Sequence, residues 1–442
     1  MSPSDLEARQ RRHVLYTWTA QAKASPVDIA GGHGARFDDH AGERWLDFES
    51  QVFNCNAGHG RTAIIEAMQR QAGALACAHP AAVFEAKAAL GEALDRITPP
   101  AIDRFFLCLS GAEANENAFK IARMFTGRTK VIARRRSYHG ASMGALSLTG
   151  DPRRMPAEPG LWGVLRAEDP YCYRCPFGLD VASCGTRCAT HLEHIIEMEG
   201  PDTIAAIFLE GVTGANGGFV PPDDYWPTVR AICDRHGILL VSDEVFSGFG
   251  RTGHWFAVDR WGVTPDLITM AKGLTSGYAP LGAVGLRADI ADFFADRTLQ
   301  CGLTSYAHPI SCAAALATIE LYEREGLIER ARALEPVLRA SLEVLQTRHA
   351  VIGDVRCAGL FGTLELVRDR GTREPLVPYR AATTPADALA LKRALAERRV
   401  HISLSRQNLF VAPPLCIDAD DLLLGLDHID QALTEVFGGA AP

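Results

Sequence analysis

The chain has 442 residues, of which 47% are hydrophobic and 22% are charged, a balance typical of ordinary globular proteins. Its formal net charge of -8 and its lack of a basic block argue against broad nucleic-acid binding. No uncharged apolar run approaches membrane-spanning length and the polar N-terminus carries no apolar signal core, so we expect a cytoplasmic protein.

The N-terminal segment is charged and then aromatic, with Tyr16 and Trp18 placed early in the chain. Aromatic residues in such a position usually pack a terminal segment onto the body of a protein. Residues 34–48 are typical of a two-strand hairpin that turns at residues 39–42. Helical patterns follow over about 62–76 and 82–97, and the second is closed by two prolines.

Short apolar runs then alternate with helical patterns. This alternation predicts an α/β fold with an open, doubly wound and mainly parallel sheet. The predicted strands cover residues 104–109, 130–133, 203–209, 238–242, 267–270 and 281–286.

Four polar residues lie at or just after the ends of these strands: Ser110, Glu210, Asp243 and Lys272. In open α/β sheets, that edge is where ligands bind. A lone lysine near a buried aspartate suits a Schiff-base lysine facing a cofactor with a protonated ring nitrogen. An aspartate that caps a loop and a solvated surface lysine would explain the same two residues equally well.

A phosphate seat is a second interpretation at this edge. Ser110, Gly111 and Ala112 join a strand to a helix, and the free N–H groups of a helix start attract anions. Tyr138, in a tight polar turn after the next strand, is placed to stack on a planar cofactor, although ordinary packing is the more common role.

Four of the twelve cysteines form two closely spaced pairs: Cys172 with Cys175, and Cys184 with Cys188. Their C-x2-C and C-x3-C spacings resemble zinc knuckles, but the intervening loop is shorter than in common zinc modules. Reduced thiols on a surface loop are the favoured interpretation, ahead of a structural metal or a disulfide.

The C-terminal part changes character. Two long helices, the first starting at Pro309, precede an alternating pattern typical of an antiparallel sheet with a covering helix. We therefore predict residues 61–325 as a large cofactor-binding domain. Residues 326–442 would form a smaller α+β domain, joined by the N-terminal segment 1–60.

Eight motifs occur in an order that resembles the class III aminotransferases, pyridoxal-phosphate enzymes of fold type I. They are LSGAEANENAFKIAR, SYHG, FLEGVTGANG, LVSDEVFSGFGRTG, PDLITMAKGLTSGYAPLGAV, LTSYAHP, RCAGLFGTLEL and VAPPL. The likeness covers nearly the whole chain. The cysteine loop and the GFGRTG region look most like the taurine–pyruvate and ω-amino acid aminotransferase branch.

The resemblance implies a role for each strand-end residue. Lys272 would bind pyridoxal 5'-phosphate as a Schiff base and then move the substrate proton, and Asp243 would keep the pyridine nitrogen protonated. Thr304 would complete the phosphate seat from the other subunit of a homodimer. The implied cofactor-binding set is Ser110, Gly111, Ala112, Tyr138, His139, Glu210, Asp243, Val245, Lys272 and Thr304, with no metal ligand.

Substrate contacts follow from the same resemblance. Arg406 matches the mobile arginine that grips the carboxylate of the oxo acid, and a surface arginine is its alternative. Trp18 and Phe53 match aromatic pocket walls, and His79 would contribute across the dimer interface. Phe246 stands where many members carry glutamine, so we expect a more apolar pocket and no hydrogen bond from that position to the cofactor's phenolic oxygen.

The expected function is ping-pong transfer of an amino group from an amine or ω-amino acid to an oxo acid, with pyruvate favoured over 2-oxoglutarate. A transaminase of a larger biosynthetic amine is one alternative. A mutase, racemase, decarboxylase or phospho-lyase on the same fold is another, because fold does not fix reaction type. A non-catalytic binding protein is disfavoured by the presence of both Lys272 and Asp243.

Overall fold

The computed structural model describes residues 3–381 and 383–438, so the outermost residues of the predicted terminal segments lie outside the described part. Its helices are α1 Pro3–His13, α2 Ser50–Phe53, α3 Thr62–Ala74, α4 Glu85–Ile97, α5 Gly111–Thr126, α6 Met143–Leu148, α7 Arg187–Glu199, α8 Tyr225–His236, α9 Ala288–Asp292, α10 Pro309–Glu325, α11 Leu327–Arg348, α12 Ala386–Glu397 and α13 Ala419–Phe437. Short 3-10 turns cover Gln21–Lys23, Pro152–Ala157, Cys172–Arg174, Pro201–Thr203, Ala257–Trp261 and Lys272–Leu274. None of the described helices combines the length and apolar character that a membrane crossing requires.

The strands form three main sheets. They are β1 Gly31–His33, β2 Arg36–Asp38, β3 Arg44–Asp47, β4 Ile102–Cys108, β5 Lys130–Arg134, β6 Val164–Ala167, β7 Ile204–Glu210, β8 Leu239–Asp243, β9 Leu267–Met270, β10 Gly282–Arg287, β11 Ile352–Ala358, β12 Phe361–Asp369, β13 Glu374–Pro375, β14 Val400–His401, β15 Ser403–Ser405 and β16 Asn408–Val411.

The central sheet has seven strands in the order β4-β10-β9-β8-β7-β5-β6. Strand β10 runs antiparallel to both of its neighbours, whereas β6, β5, β7, β8 and β9 pair in parallel. The prediction of a mainly parallel sheet flanked by helices is confirmed. Strand β4 therefore points the same way as β7, β8 and β9, and their carboxyl ends meet at one edge.

Burial explains why most strands of the central sheet could be predicted from the sequence. Every residue of β7, β8 and β9 is buried, so each strand appears as a mainly apolar run with a charged residue at its end or two residues beyond it. The one central strand that the sequence analysis missed is β6, a four-residue edge strand with a single buried residue.

The two ends of the chain combine in the smaller part of the molecule. Strand β14 pairs in parallel with β3 and so joins a C-terminal strand to the N-terminal sheet β1-β2-β3. Strands β11, β12, β16 and β15 form an antiparallel sheet, which confirms the expected α+β region built from both termini. The exact division at residues 60 and 325 stays a prediction.

Helix α2 is a single turn whose backbone is left-handed. Its four residues have φ values of 50°, 50°, 63° and 59°, and none of them is glycine. Left-handed backbone costs roughly 1–2 kcal/mol for each L-residue. This strained turn carries the side chains of Val52 and Phe53 to the functional edge of the central sheet.

Candidate functional site

A cavity of about 310 Å³ lies at the carboxyl edge of the central sheet. Its position is where parallel α/β sheets bind ligands. The residues that line it are Val52, Phe53, Gly111, Ala112, Asn115, Tyr138, His139, Gly140, Ala141, Arg153, Glu210, Gly214, Ala215, Asp243, Val245, Phe246, Ala271 and Lys272.

Lys272 begins a 3-10 turn just after β9, and its φ of 46° places the residue in the left-handed region. Burial lowers the pKa of its amine to about 8, although the carboxylates of Asp243 and Glu210 act to raise it. Its Nζ lies 5.5 Å from the ring centroid of Phe246 and 5.9 Å from that of Phe53. At pH 7 roughly a tenth of this amine is therefore uncharged and nucleophilic, far more than for an ordinary lysine.

Asp243 ends strand β8 inside a network of three donors. The side-chain amide of Asn115 donates to its Oδ2 over 2.7 Å, and Nδ1 of His139 lies 2.7 Å from the same oxygen. The N–H of Val245 donates to Oδ1 over 3.0 Å. The orientation of the Asn115 amide is fixed, because its nitrogen also donates to the carbonyl of His139 while its oxygen accepts from Thr269.

The start of α5 forms a tight cradle. A Cβ at Gly111 would lie 2.6 Å and 2.8 Å from the two methyl groups of Val245, so only glycine fits between helix and loop. Gly111 and Ala112 line the cavity beside the unpaired N–H groups of the helix start. Ser110 does not line it, and its hydroxyl instead caps the helix by accepting from the N–H of Glu113 over 3.2 Å.

Glu210 ends β7, and Tyr138 lies in the loop that follows the neighbouring strand β5. Both carboxylate oxygens of Glu210 accept backbone N–H groups, from Tyr138 over 2.6 Å and from Gly214 over 3.0 Å. Burial raises the pKa of this carboxyl above its ordinary value. Glu210 thus fixes the turn that presents the Tyr138 ring to the cavity.

One wall of the cavity is aromatic. Phe53 and Phe246 contact each other edge to face with ring centroids 5.0 Å apart, and Phe361 packs 4.7 Å from Phe246. Phe246 has only carbon atoms beyond its backbone, so it offers the cavity no side-chain hydrogen bond. The apolar character expected at this position is what the packing shows.

Arg153 is a cavity residue that the sequence analysis missed. Its guanidinium carbon lies 3.7 Å from the ring centroid of Tyr138 and 5.4 Å from that of Trp18. Its Nε and Nη2 both donate to the fully buried carboxylate of Asp151, which leaves the N–H groups of Nη1 on this 27% exposed side chain for a ligand. Nothing in the local sequence marks this residue, because folding alone brings it beside Tyr138. Asn115 was missed as a functional residue too, although it lies inside one of the eight recognised motifs.

Besides Ser110, four predicted residues lie outside the cavity lining. Trp18 is exposed and contacts the edge of Tyr138 with ring centroids 6.3 Å apart. Thr304 and His79 are exposed as well. Arg406 is close to the cavity but is not part of its lining, and its guanidinium lies against the ring of Tyr379. The structure thus brings together Lys272, Asp243 and most of the predicted cofactor set, but not these four.

The four closely spaced cysteines surround a separate small cavity of about 20 Å³ beside Tyr171. All four have free thiols, and Cys188 is buried on α7 while Cys172 is exposed. Within residues 3–381 and 383–438, no three His, Cys, Asp or Glu side chains are arranged to hold a metal ion.

Comparison with known proteins identifies the family. The model of the class III aminotransferases matches residues 18–433. A probable aminotransferase of Mycobacterium tuberculosis is 41% identical over 79% of this chain and 77% of its own length. The taurine–pyruvate aminotransferase of Bilophila wadsworthia is 34% identical over 98% of this chain and 99% of its own length.

A solved structure agrees. The taurine:2-oxoglutarate aminotransferase of Bifidobacterium kashiwanohense, in complex with PLP and glutamate, superposes with a TM-score of 0.94 at 35% identity, covering 99% of this chain and 98% of that one. The chain belongs to the class III aminotransferases. It is therefore a transferase that uses pyridoxal 5'-phosphate.

The cavity of this aminotransferase fits its cofactor. A buried carboxylate held by three donors suits a protonated pyridine nitrogen, and the glycine cradle at a helix start suits a phosphate group. The amine of Lys272, with its lowered pKa, suits a Schiff-base partner. When bound, the cofactor supplies an electron sink that makes loss of a proton from the substrate carbon feasible.

Proposed function

We propose that this aminotransferase moves an amino group from a small ω-amino acid or ω-aminosulfonate, such as β-alanine or taurine, to an oxo acid, with pyruvate as the favoured acceptor. The arginine in the cavity carries this proposal. Arg153 is the cation nearest to the Tyr138 ring, and a guanidinium suits a carboxylate or sulfonate at the far end of the donor.

The site residues divide the work. Lys272 holds the cofactor and, as a neutral amine, takes and returns the substrate proton. Asp243, positioned by Asn115 and His139, would hold the pyridine nitrogen of the cofactor in its protonated form. Gly111 and Ala112 would hold the phosphate group, and Tyr138 and Val245 would pack against the cofactor ring.

Cavity size also favours a small donor. The volume of about 310 Å³ has to accommodate both the cofactor ring and the substrate, and it lies at the lower end of ligand pockets. The packed rings of Phe53, Phe246 and Phe361 close one side. These features argue against the alternative of a large biosynthetic amine.

The acceptor side rests on Arg406, which we propose grips the carboxylate of the oxo acid when it turns toward the cavity. We also propose a homodimer in which Thr304 of each chain completes the phosphate seat of the other. Its exposure outside its own chain's cavity agrees with that role. A cytoplasmic location stays a prediction.

A donor panel tests the function directly. Taurine, β-alanine, γ-aminobutyrate, a diamine and an arylalkyl amine are each supplied with pyruvate, and alanine formation is measured. We expect the two shorter anionic donors to give the highest kcat/KM. Preference for the arylalkyl amine would contradict the donor class, and turnover without alanine formation would indicate a different reaction on this fold.

Variants of Arg153 show whether its charge, and not only its contribution to the fold, binds the donor. We expect Arg153→Met to raise the KM of taurine and β-alanine about 10- to 150-fold, the value of hydrogen bonds to a charged group. The arylalkyl amine should be little affected, and Arg153→Lys should recover part of the loss. Arg154→Gln is the matched control, because that guanidinium bonds the carbonyl of Gly150 and pairs with Glu158 away from the cavity.

A further inference from the structure

Arg406 is held in a defined place outside the cavity. It follows β15 with a φ of 54°, and its guanidinium carbon lies 4.5 Å from the ring centroid of Tyr379. Its Nη1 donates to Oδ1 of Asn216 over 3.3 Å. Asn216 directly follows Ala215, which lines the cavity, so the guanidinium is tethered one residue from the cavity edge.

The ring of Tyr379 contacts two arginine side chains, Arg406 and Arg136. The guanidinium of Arg136 lies 4.6 Å from the ring centroid and is anchored in turn against Tyr171 and Phe219, each 5.0 Å away. The hydroxyl of Tyr379 has no hydrogen-bond partner among the described residues. The contribution of Tyr379 to this cluster is therefore its ring and not its hydroxyl.

We propose that Tyr379 and Asn216 are positioning residues that hold Arg406 withdrawn from the cavity until an oxo acid is present. The inference rests on the proposed function, in which Arg406 grips the acceptor carboxylate. While the guanidinium of Arg406 is withdrawn, the donor can occupy the cavity with Arg153 as its cationic partner. The acceptor then binds only the fraction of molecules in which Arg406 has left the ring.

Population arithmetic sets the size of the effect. When the competent state is a minor fraction, the apparent affinity for the oxo acid equals the intrinsic affinity multiplied by that fraction. Loss of a cation–π contact of ordinary strength shifts such an equilibrium about 2- to 30-fold. A variant without the ring should therefore bind the acceptor more tightly, by a factor in that range.

The test compares two substitutions at one position. Tyr379→Leu removes the ring, and we expect the KM of pyruvate to fall about 2- to 30-fold while the KM of an arylalkyl amine rises, because a cation now occupies the cavity more often. Tyr379→Phe keeps the ring and should behave like the wild type. Asn216→Ala should shift both constants in the same directions by a smaller factor.

A second background isolates the arginine. In Arg406→Met, we expect Tyr379→Leu to leave the KM of pyruvate unchanged, because there is no guanidinium to release. An unchanged or raised KM of pyruvate in Tyr379→Leu, in an enzyme that still forms alanine, would overturn this inference and leave the proposed function intact.

A wild type that forms no alanine from any donor would instead overturn the proposed function. Binding of propionate, a carboxylate that cannot react, provides a readout independent of turnover and should tighten in parallel in Tyr379→Leu.

Discussion

Lys272 lies between charges of both signs, and their balance sets how readily its amine reacts. Burial, together with Arg153 and Arg251, lowers its pKa, whereas Asp243 and Glu210 act in the opposite direction. The net result is a pKa of about 8, well below the roughly 10.4 of an ordinary lysine.

This balance predicts how the reactivity of Lys272 changes with pH in the protein without its cofactor. Only the neutral amine reacts with an acylating reagent, so labelling of Lys272 should rise with pH and reach half its maximum near the pKa of about 8. Competitive labelling followed by mass spectrometry measures that midpoint. Asp243→Asn should lower the midpoint, because a charge that raises the pKa is lost, and Arg153→Met should raise it. A shift of both variants in one direction would contradict the assignment of charges around the lysine.

Sequence alone could indicate Asp243 and Lys272 because each lies at the end of a buried strand, where a polar residue stands out. It could not indicate Arg153, which lies in a stretch without strand or helix pattern and reaches the cavity through the path of the chain after α6. Asn115 is similar, since its partners Asp243 and Thr269 come from two strands more than a hundred residues away.

At the scale of elements, α5 can approach the loop after β8 closely because Gly111 has no side chain. We predict that Gly111→Ala drives the helix start away from Val245, whose methyl groups lie 2.6 Å and 2.8 Å from the added Cβ. Overpacking of this kind costs about 1–3 kcal/mol of unfolding free energy. The affinity for pyridoxal 5'-phosphate, measured by equilibrium dialysis, should fall because the proposed phosphate seat would move.

A second substitution checks the cause. Adding Val245→Ala to Gly111→Ala removes both clashing methyl groups and should restore most of the stability. Gly73→Ala on α3 is the matched control, because its Cβ would meet no atom within 4 Å and alanine is the better helix former. Equal losses in Gly73→Ala and Gly111→Ala would mean that the tight approach to Val245 is not the cause.

Elements with clear start and stop signals were predictable almost to the residue, as the bounds of α10 at Pro309–Glu325 show, because a proline opens this helix and Gly326 follows its end. The left-handed turn at Ser50–Phe53 was not, because none of its residues prefers that backbone and only the surrounding packing imposes it. Strand β6 was missed for a simpler reason, since four residues with one buried side chain carry too little pattern.

At the scale of the whole molecule, one buried arginine connects three distant parts of the chain. Arg251 is fully buried, and its Nη2 donates to Ser50 over 3.0 Å and to Asn56 over 2.8 Å in the N-terminal segment. Its Nη1 donates to the carbonyls of Leu360 over 3.1 Å and Pro413 over 2.6 Å in the C-terminal part. These acceptors are all neutral, so the side chain joins the segments by hydrogen bonds and not by an ion pair.

Replacing Arg251 should therefore lower the free energy of unfolding of the whole molecule. Arg251→Met keeps much of the volume but leaves several buried acceptors without a donor, and each such group costs about 1–3 kcal/mol. We expect a loss of at least about 3 kcal/mol in the free energy of unfolding, measured by urea denaturation at constant slope. Arg332→Met is the matched control, because that exposed side chain donates to a single carbonyl, of Gly253, over 3.0 Å. If the two variants unfold at the same urea concentration, the three segments do not depend on Arg251, and the packing between β3 and β14 would have to hold the ends of the chain together instead.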